Sequence, residues 1–324
     1  MPFYLSLDGG GTKCCAIFYN EDGPLGYGCS GGTNTNFTTI EDCRGNIARC
    51  LDQALAGYPN PRIEVVYAVL VGPNEALTEA LNDRANVGEL VCLGEGKAAL
   101  LAGALRESGI VALSGTGSDA FYVSGEGERQ MVGGMGSILG DQGSGVWIGQ
   151  RALRAALSYW EGWGTETLML PLLCDKWGVA DKWQVVQAVY GAPAPFRKVA
   201  SFVPIAAEAA RLGDRVAIGL FEEAGRVMAE QTLALIRRAD IANGDRVCVC
   251  CGGAWKAHPA MHLAFKERMA EAAQDIRVQK PMFENVMAGV VANEYRRFPA
   301  LDTGQLKTAL PAPYQRFRAH WQEG

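Results

Sequence analysis

Residues Asp8 to Lys13 read Asp-Gly-Gly-Gly-Thr-Lys, and they carry the clearest chemistry in the chain. Consecutive glycines open backbone angles closed to other residues and leave no side chains to hold a ligand away. Such a turn can aim several N–H groups at a phosphate, while Asp8 can hold a cation that neutralises it. Nucleotide-dependent phosphoryl transfer is therefore the leading chemistry. The P-loop spacing G-x-x-x-x-G-K is absent, as is G-x-G-x-x-G, and the turn leads into a second apolar run, Cys14–Tyr19, instead of a helix. That disfavours a dinucleotide fold. A plain hairpin needs only one or two glycines, so this run exceeds ordinary turn chemistry.

A second turn, Gly115-Thr116-Gly117-Ser118-Asp119, is weak alone but gains meaning beside the first. Two hairpins could hold one polyphosphate, with the hydroxyls of Thr12, Thr116 and Ser118 as donors. Gly133 to Gly145 holds six glycines in thirteen residues and runs into an apolar helix start at Val146. It reads as a ligand-closing loop, with Asp141 and Ser144 beside a helix N-terminus; Asp141 reads equally as a helix cap. In Val247–Trp255 (VCVCCGGAW), strand alternation sends neighbouring cysteines to opposite faces, so small buried thiols are expected, not a metal site. Gly252-Gly253 then marks close backbone approach, suited to a flat adenine or ribose. His258 and His262 are four apart, but no carboxylate lies between them, and zinc is disfavoured. Asn34, in Gly32-Thr33-Asn34-Thr35-Asn36-Phe37, is either an Asx-turn residue or a polar contact to a sugar. Glu95 is either a favourable charge at a helix N-terminus or a general base at a strand end.

These residues need elements to position them. Apolar periodicity predicts strands at 3–8, 14–19, 25–29, 63–71 and 89–93, and helices at 40–56, 75–84 and 96–107. The pattern then restarts: a strand at 110–113, the second glycine turn, and a strand at 119–123. This reads as an internal duplication with its boundary near residue 114: a first domain, 1–114, and a second, 115–324, carrying a helical insertion. Region 145–243 is mainly helical, with one long helix over 216–241. A buried strand follows at 246–251, then a helix from about Ala254. The tail, 312–324, could be a closing helix that packs back on the first domain. The fold class is α/β.

At 324 residues with 48% hydrophobic and 20% charged content, the chain can bury a large core. A net charge of −5 argues against a nucleic-acid surface. No apolar run approaches a membrane span and no secretory leader is visible, so a cytoplasmic protein is expected. Ten cysteines then read as free thiols in a reducing compartment, and the glycosylation sequon Asn36-Phe37-Thr38 carries no weight.

Taken together, DGGGTK, GGTNTNF, ALSGTGSDA, GGMGSILGDQGSGVWIG and CCGGAWKAH resemble the BadF/BadG branch of the sugar kinase, actin and heat-shock ATPase superfamily, and N-acetylglucosamine kinases within it. The resemblance implies two ribonuclease-H-like domains with a central cleft, ATP and Mg²⁺ as cofactors, an amino-sugar substrate phosphorylated at a hydroxyl (O6 expected), and a homodimer. It implies Asp8, Gly10, Gly11, Thr12 and Lys13 at the first phosphate turn, with Asp8 placing the metal. It assigns Thr116, Gly117 and Ser118 to the second turn, Gly252 and Gly253 to the adenosine side, and Asn34, Gly134 and Asp141 to the sugar. Glu95 stands where the family's base is usually Asp. Related activators of 2-hydroxyacyl-CoA dehydratases carry an iron–sulfur cluster on loop cysteines; here Cys14, Cys15, Cys248, Cys250 and Cys251 fall in predicted strands. The zinc cysteine cluster of ROK hexokinases is missing. A dehydratase activator and a non-catalytic sugar sensor are the rival readings.

Overall fold

The computed structural model describes residues 1–35, 38–127, 129–310 and 312–319. Asn36 and Phe37, and the end of the expected closing helix, lie outside the described residues.

Two compact units form, Met1–Ser108 with Pro281–Ala319, and Gly109–Lys280. The first contains β1 (Phe3–Gly9), β2 (Lys13–Asn20), β3 (Gly23–Gly31), α1 (Ile40–Ala54), β4 (Arg62–Leu70), α2 (Asn74–Asn82), β5 (Asn86–Cys92) and α3 (Glu95–Ala104). The second contains β6 (Gly109–Ser114), β7 (Ser118–Val123), β8 (Arg129–Gly133), α4 (Gly136–Leu139), α5 (Gly145–Trp160), α6 (Met169–Trp177), α7 (Lys182–Tyr190), α8 (Pro195–Ala200), α9 (Val203–Arg211), α10 (Arg215–Arg238), β9 (Val247–Cys251), α11 (Pro259–Ala272) and β10 (Arg277–Gln279). The chain returns to the first unit for α12 (Ala288–Arg297) and α13 (Thr303–Ala309).

Each unit has a five-stranded sheet, in the orders β3-β2-β1-β4-β5 and β8-β7-β6-β9-β10. In both, the first two neighbouring pairs are antiparallel and the last two parallel. The two sheets share one strand order and one pattern of pairing. The division falls at Ser108/Gly109, earlier than the boundary at 114, because Gly109–Ser114 is hydrogen-bonded into the second sheet. Strand β8 escaped prediction because it is mostly exposed and lacks apolar alternation. The helix expected from Ala254 begins only at Pro259, after a short 3₁₀ turn.

In the first sheet, alternation divides the apolar residues between two faces. Leu5, Leu7, Ala16 and Phe18 pack with α1 and α2. Tyr4, Ile17, Tyr19, Tyr67 and Val69 pack with α3 and α12. The returning segment is stitched to this second face. Ser6 Oγ donates to the Val286 carbonyl at 2.6 Å and accepts from Gly289 N–H at 3.0 Å. Met282 and Phe283 N–H donate to the carbonyls of Gly103 and Ala102. The described part of the tail is not a helix. It forms one 3₁₀ turn, Gln315–Phe317, and lies along residues 282–284 through Glu284 N–H to Phe317 O and Ala319 N–H to Met282 O.

In the second unit, α10 has the expected apolar periodicity, with Ala217, Phe221, Ala224, Met228, Thr232 and Leu235 buried. Asp214 caps its start, accepting from Ala217 N–H at 2.8 Å, and Arg237 and Arg238 favour its C-terminal dipole. Not all ten cysteines are free. Cys15 and Cys29, register partners on β2 and β3 with Cα atoms 4.2 Å apart, are joined by a disulfide. Cross-strand pairing sets them opposite each other, which spacing in the sequence did not show.

Candidate functional site

In a sheet of this kind ligands gather at the carboxyl ends of the parallel strands. In the first unit that end is built on the glycine turn. Gly10 N–H closes the turn onto the Lys13 carbonyl at 2.9 Å. The Gly10 carbonyl accepts from Thr33 N–H at 2.8 Å and from Asn34 N–H at 3.4 Å, and the Gly9 carbonyl accepts from Val71 N–H at 2.8 Å. A side chain at Gly32 would collide with the Gly11 carbonyl. The loop after β3 is therefore seated on the turn, and this brings Asn34 beside it. Two residues missed in the sequence hold that loop from below. Asn46 Nδ2 donates to the Gly32 carbonyl at 2.7 Å and Cys43 Sγ to the Thr33 carbonyl at 3.0 Å. Asn46 was detectable as an amide on the apolar face of α1, among Cys43, Ile47 and Cys50.

Asp8 shares the parity of Tyr4 and Ser6 along β1, so it points to the face covered by α3 and α12. Glu95 opens α3, one position before the expected helix start, behind Gly94, which offers no side-chain cap. Both carboxylates thus lie on one face. Burial, with added repulsion from Glu95 and Glu284 outweighing attraction by Lys13, pushes the Asp8 carboxyl up to about 7. Lys13 pairs with Glu284 at 3.3 Å, so the exit of the turn is tied to the returning segment. A divalent cation fits this environment, since its charge would offset the burial, and the lesser repulsion, that raise Asp8. No cluster of three or more His, Cys, Asp or Glu able to hold a metal exists among the described residues.

The second unit's turn is also tied to a loop. Gly115 N–H donates to the Gly117 carbonyl at 2.9 Å. Gly145 N–H donates to the Gly115 carbonyl at 2.7 Å and Val146 N–H to the Thr116 carbonyl at 3.3 Å. Gly134 N–H donates to the Ser118 carbonyl at 3.1 Å. The Ser118 hydroxyl, expected as a phosphate donor, is buried and donates to the Gln142 carbonyl at 2.8 Å. Thr116 and Gly117 remain at least partly accessible.

Asp141 does not cap α5; Ser144 does, its Oγ accepting from Trp147 N–H at 3.2 Å. Asp141 instead holds a left-handed backbone, φ 53°, and its Oδ1 accepts from Gly136 N–H at 3.2 Å. Burial raises its carboxyl, while hydrogen bonds from the backbone of Ser118 and Gly136 act against the rise. It thereby joins the turn to the glycine-rich loop. His258 is the N-cap of α11, accepting from Ala260 N–H, and His262 packs edge-on to Trp255.

The two glycines after β9 differ. Gly252 has φ 111° and an added Cβ would strike the Ser114 carbonyl; Gly253 has open space around it. Gly252→Ala is expected to destabilise the protein by more than about 3 kcal/mol, whereas Gly253→Ala should change it by no more than about 0.5 kcal/mol. Urea melts of the two variants check this; equal midpoints would refute it.

The sequence profile of the BadF/BadG/BcrA/BcrD ATPase family matches residues 5–288, which include every site residue named above. The chain belongs to this ATPase family. Among curated relatives of this BadF/BadG-type ATPase, an N-acetylmuramic acid/N-acetylglucosamine kinase of Clostridium acetobutylicum is 24% identical over 266 residues, 78% of this chain and 85% of that protein. An N-acetyl-D-glucosamine kinase of Dictyostelium discoideum is 23% identical over 268 residues, 75% and 82% of the two chains. A solved structure described as a candidate N-acetylglucosamine kinase of Chromobacterium violaceum superposes with a TM-score of 0.68 at 23% identity, covering 90% of this chain and 98% of that one. The fold is thus the two-domain, actin-like ATPase fold, and each sheet is one ribonuclease-H-like domain.

Proposed function

We propose that this ATPase-family chain is an ATP-dependent amino-sugar kinase, acting on N-acetylglucosamine first and glucosamine next, with O6 as the acceptor. The observation that carries the reading is Asp8 and Glu95 on one sheet face, beside a glycine turn whose backbone seats Asn34. The two curated relatives named above are, by their names, kinases of N-acetylglucosamine.

Phosphoryl transfer asks a protein for positioning and charge neutralisation more than for covalent chemistry. In this reading Asn34, Gly134 and Asp141 contact the sugar. Glu95 accepts the proton of the attacking hydroxyl, whose oxygen bonds to the γ-phosphorus as the bond to ADP breaks. Gly11, Thr12 and Lys13 receive phosphate oxygens on a turn shaped by Gly10, as do Thr116 and Gly117 through backbone N–H groups, while Ser118, whose N–H and hydroxyl are engaged, holds the second turn in place. Gly252 and Gly253 take the adenosine. Magnesium, held through Asp8, would supply neutralising charge when bound.

A coupled assay across amino sugars and hexoses tests the proposal. The expected result is ADP release that depends on N-acetylglucosamine, with a product phosphorus signal coupled to the C6 protons. Absence of sugar-stimulated ADP release across the whole panel would sink it.

A further inference from the structure

A cavity of about 240 Å³ in the first unit is lined by Asp8, Lys13, Cys15, Tyr27, Glu284, Val286, Arg316 and Phe317. Only Asp8 and Lys13 of these belong to the glycine turn. The rest of the wall comes from β2 (Cys15), from β3 (Tyr27) and from the returning segment. The volume equals that of about eight waters, room for a phosphate group and its remaining shell.

The charges in the wall are not equivalent. Lys13 and Glu284 lie 3.3 Å apart and largely satisfy each other. Arg316 makes no ion pair among the described residues. Its guanidinium lies 5.1 Å from the Tyr27 ring centre and 4.6 Å from that of Phe317. Those rings, themselves 5.3 Å apart, both lie within cation–π reach of it. A guanidinium without an ion pair can offer its N–H fork to a planar or tetrahedral anion, the chemistry in which arginine exceeds lysine. Arg316, carried by the returning segment, lines the same cavity as Asp8 and Lys13 of the turn.

We propose that this cavity is a phosphate subsite and that Arg316 is its anchoring cation. The choice of phosphate over other anions rests on the kinase reading, in which both the nucleotide and the product carry one. Two sources share that chemistry: the terminal phosphate of the nucleotide, or a free phosphate or phosphomonoester bound separately.

Thermal melts of the full-length protein in inorganic phosphate, in acetate of equal ionic strength and in neither, for wild type, Arg316→Gln and Arg316→Lys, test it. Wild type is expected to gain melting temperature in phosphate and not in acetate. Arg316→Gln should bind phosphate about 10- to 100-fold more weakly, with its melting temperature in anion-free buffer unchanged, and Arg316→Lys should fall between. An equal gain in Arg316→Gln, an equal gain from acetate, or equal loss in the two variants overturns the proposal. Steady-state kinetics separates the sources: phosphate competing with ATP, with a raised ATP KM in Arg316→Gln, assigns the cavity to the nucleotide, and non-competitive inhibition assigns it to a separate phosphate. If wild type transfers nothing to any sugar, the kinase reading fails while the melts still decide the subsite.

Discussion

Replacing Glu95 by glutamine is expected to lower turnover by about 10²- to 10⁴-fold, the usual contribution of a general base, with little change in sugar KM. Glutamine keeps the shape and the hydrogen-bonding capacity of the side chain and loses the proton-accepting charge. Glu95 is the first residue of α3, half-buried, on the face that also carries Asp8. Its position admits a purely structural role, since a carboxylate there also favours the helix dipole by about 0.3–1 kcal/mol. The two roles separate cleanly. A dipole effect would move the melting temperature slightly and leave turnover near normal, and near-normal turnover excludes Glu95 as the base. Glu95→Asp is a further probe, because the family resemblance points to the shorter acid. If reach is set by this chain's own backbone, Asp should be slower than Glu, since displacement by about an ångström can cost 10²-fold.

The second large effect is expected at Asp8, with opposite signs for activity and stability. Asp8→Asn should reduce kcat/KM by at least about 10²-fold, because it removes the charge that would hold the metal and so several kcal/mol of transition-state neutralisation. The same variant should be more stable than wild type at pH 8. The Asp8 carboxyl is raised from 3.8 to about 7 by burial, with Glu95 and Glu284 adding to the rise and Lys13 opposing it. The folded state therefore keeps its proton over a range in which the unfolded chain has lost it. Stability is full below about pH 4, declines as pH rises toward 7 and then levels off. Asparagine does not ionise and escapes that decline. The full shift corresponds to about 4 kcal/mol; because Asp8 lines an open cavity, about 1–3 kcal/mol is expected. Melts of both proteins at pH 5 and pH 8 read it directly. The advantage of Asp8→Asn should grow between the two, and a constant difference would show that Asp8 is not strained by its charge. Saturating magnesium with nucleotide should remove the advantage, because the cation stabilises the ionised carboxylate.

Both effects arise from one feature of the sheet. The parity that buries Tyr4 and Ser6 also turns Asp8 toward α3 and the returning segment, into a partly buried position on the cavity wall. A carboxylate near a strand end is thereby made costly to ionise until a ligand brings positive charge.

Much of this was legible in the sequence. The glycine turn at Asp8–Lys13 and its echo at Gly115–Ser118 announced themselves because turn chemistry is local: it depends on the backbone freedom of a few residues and on the strands that flank them. The strands of both hairpins, the long helix α10 and the close backbone approach at Gly252 follow from periodicities and residue types that need no distant partner. What only the tertiary structure decided involves residues far apart in the chain. Ser144 and not Asp141 caps α5, which frees Asp141 to join two loops. The return of Pro281–Ala319 to the first unit brings Glu284 to Lys13, 271 positions away, and Arg316 into the cavity with Asp8. Such meetings depend on which sheet faces must be covered and in what order the strands pair. That is settled by burial summed over whole faces, and no local pattern encodes it.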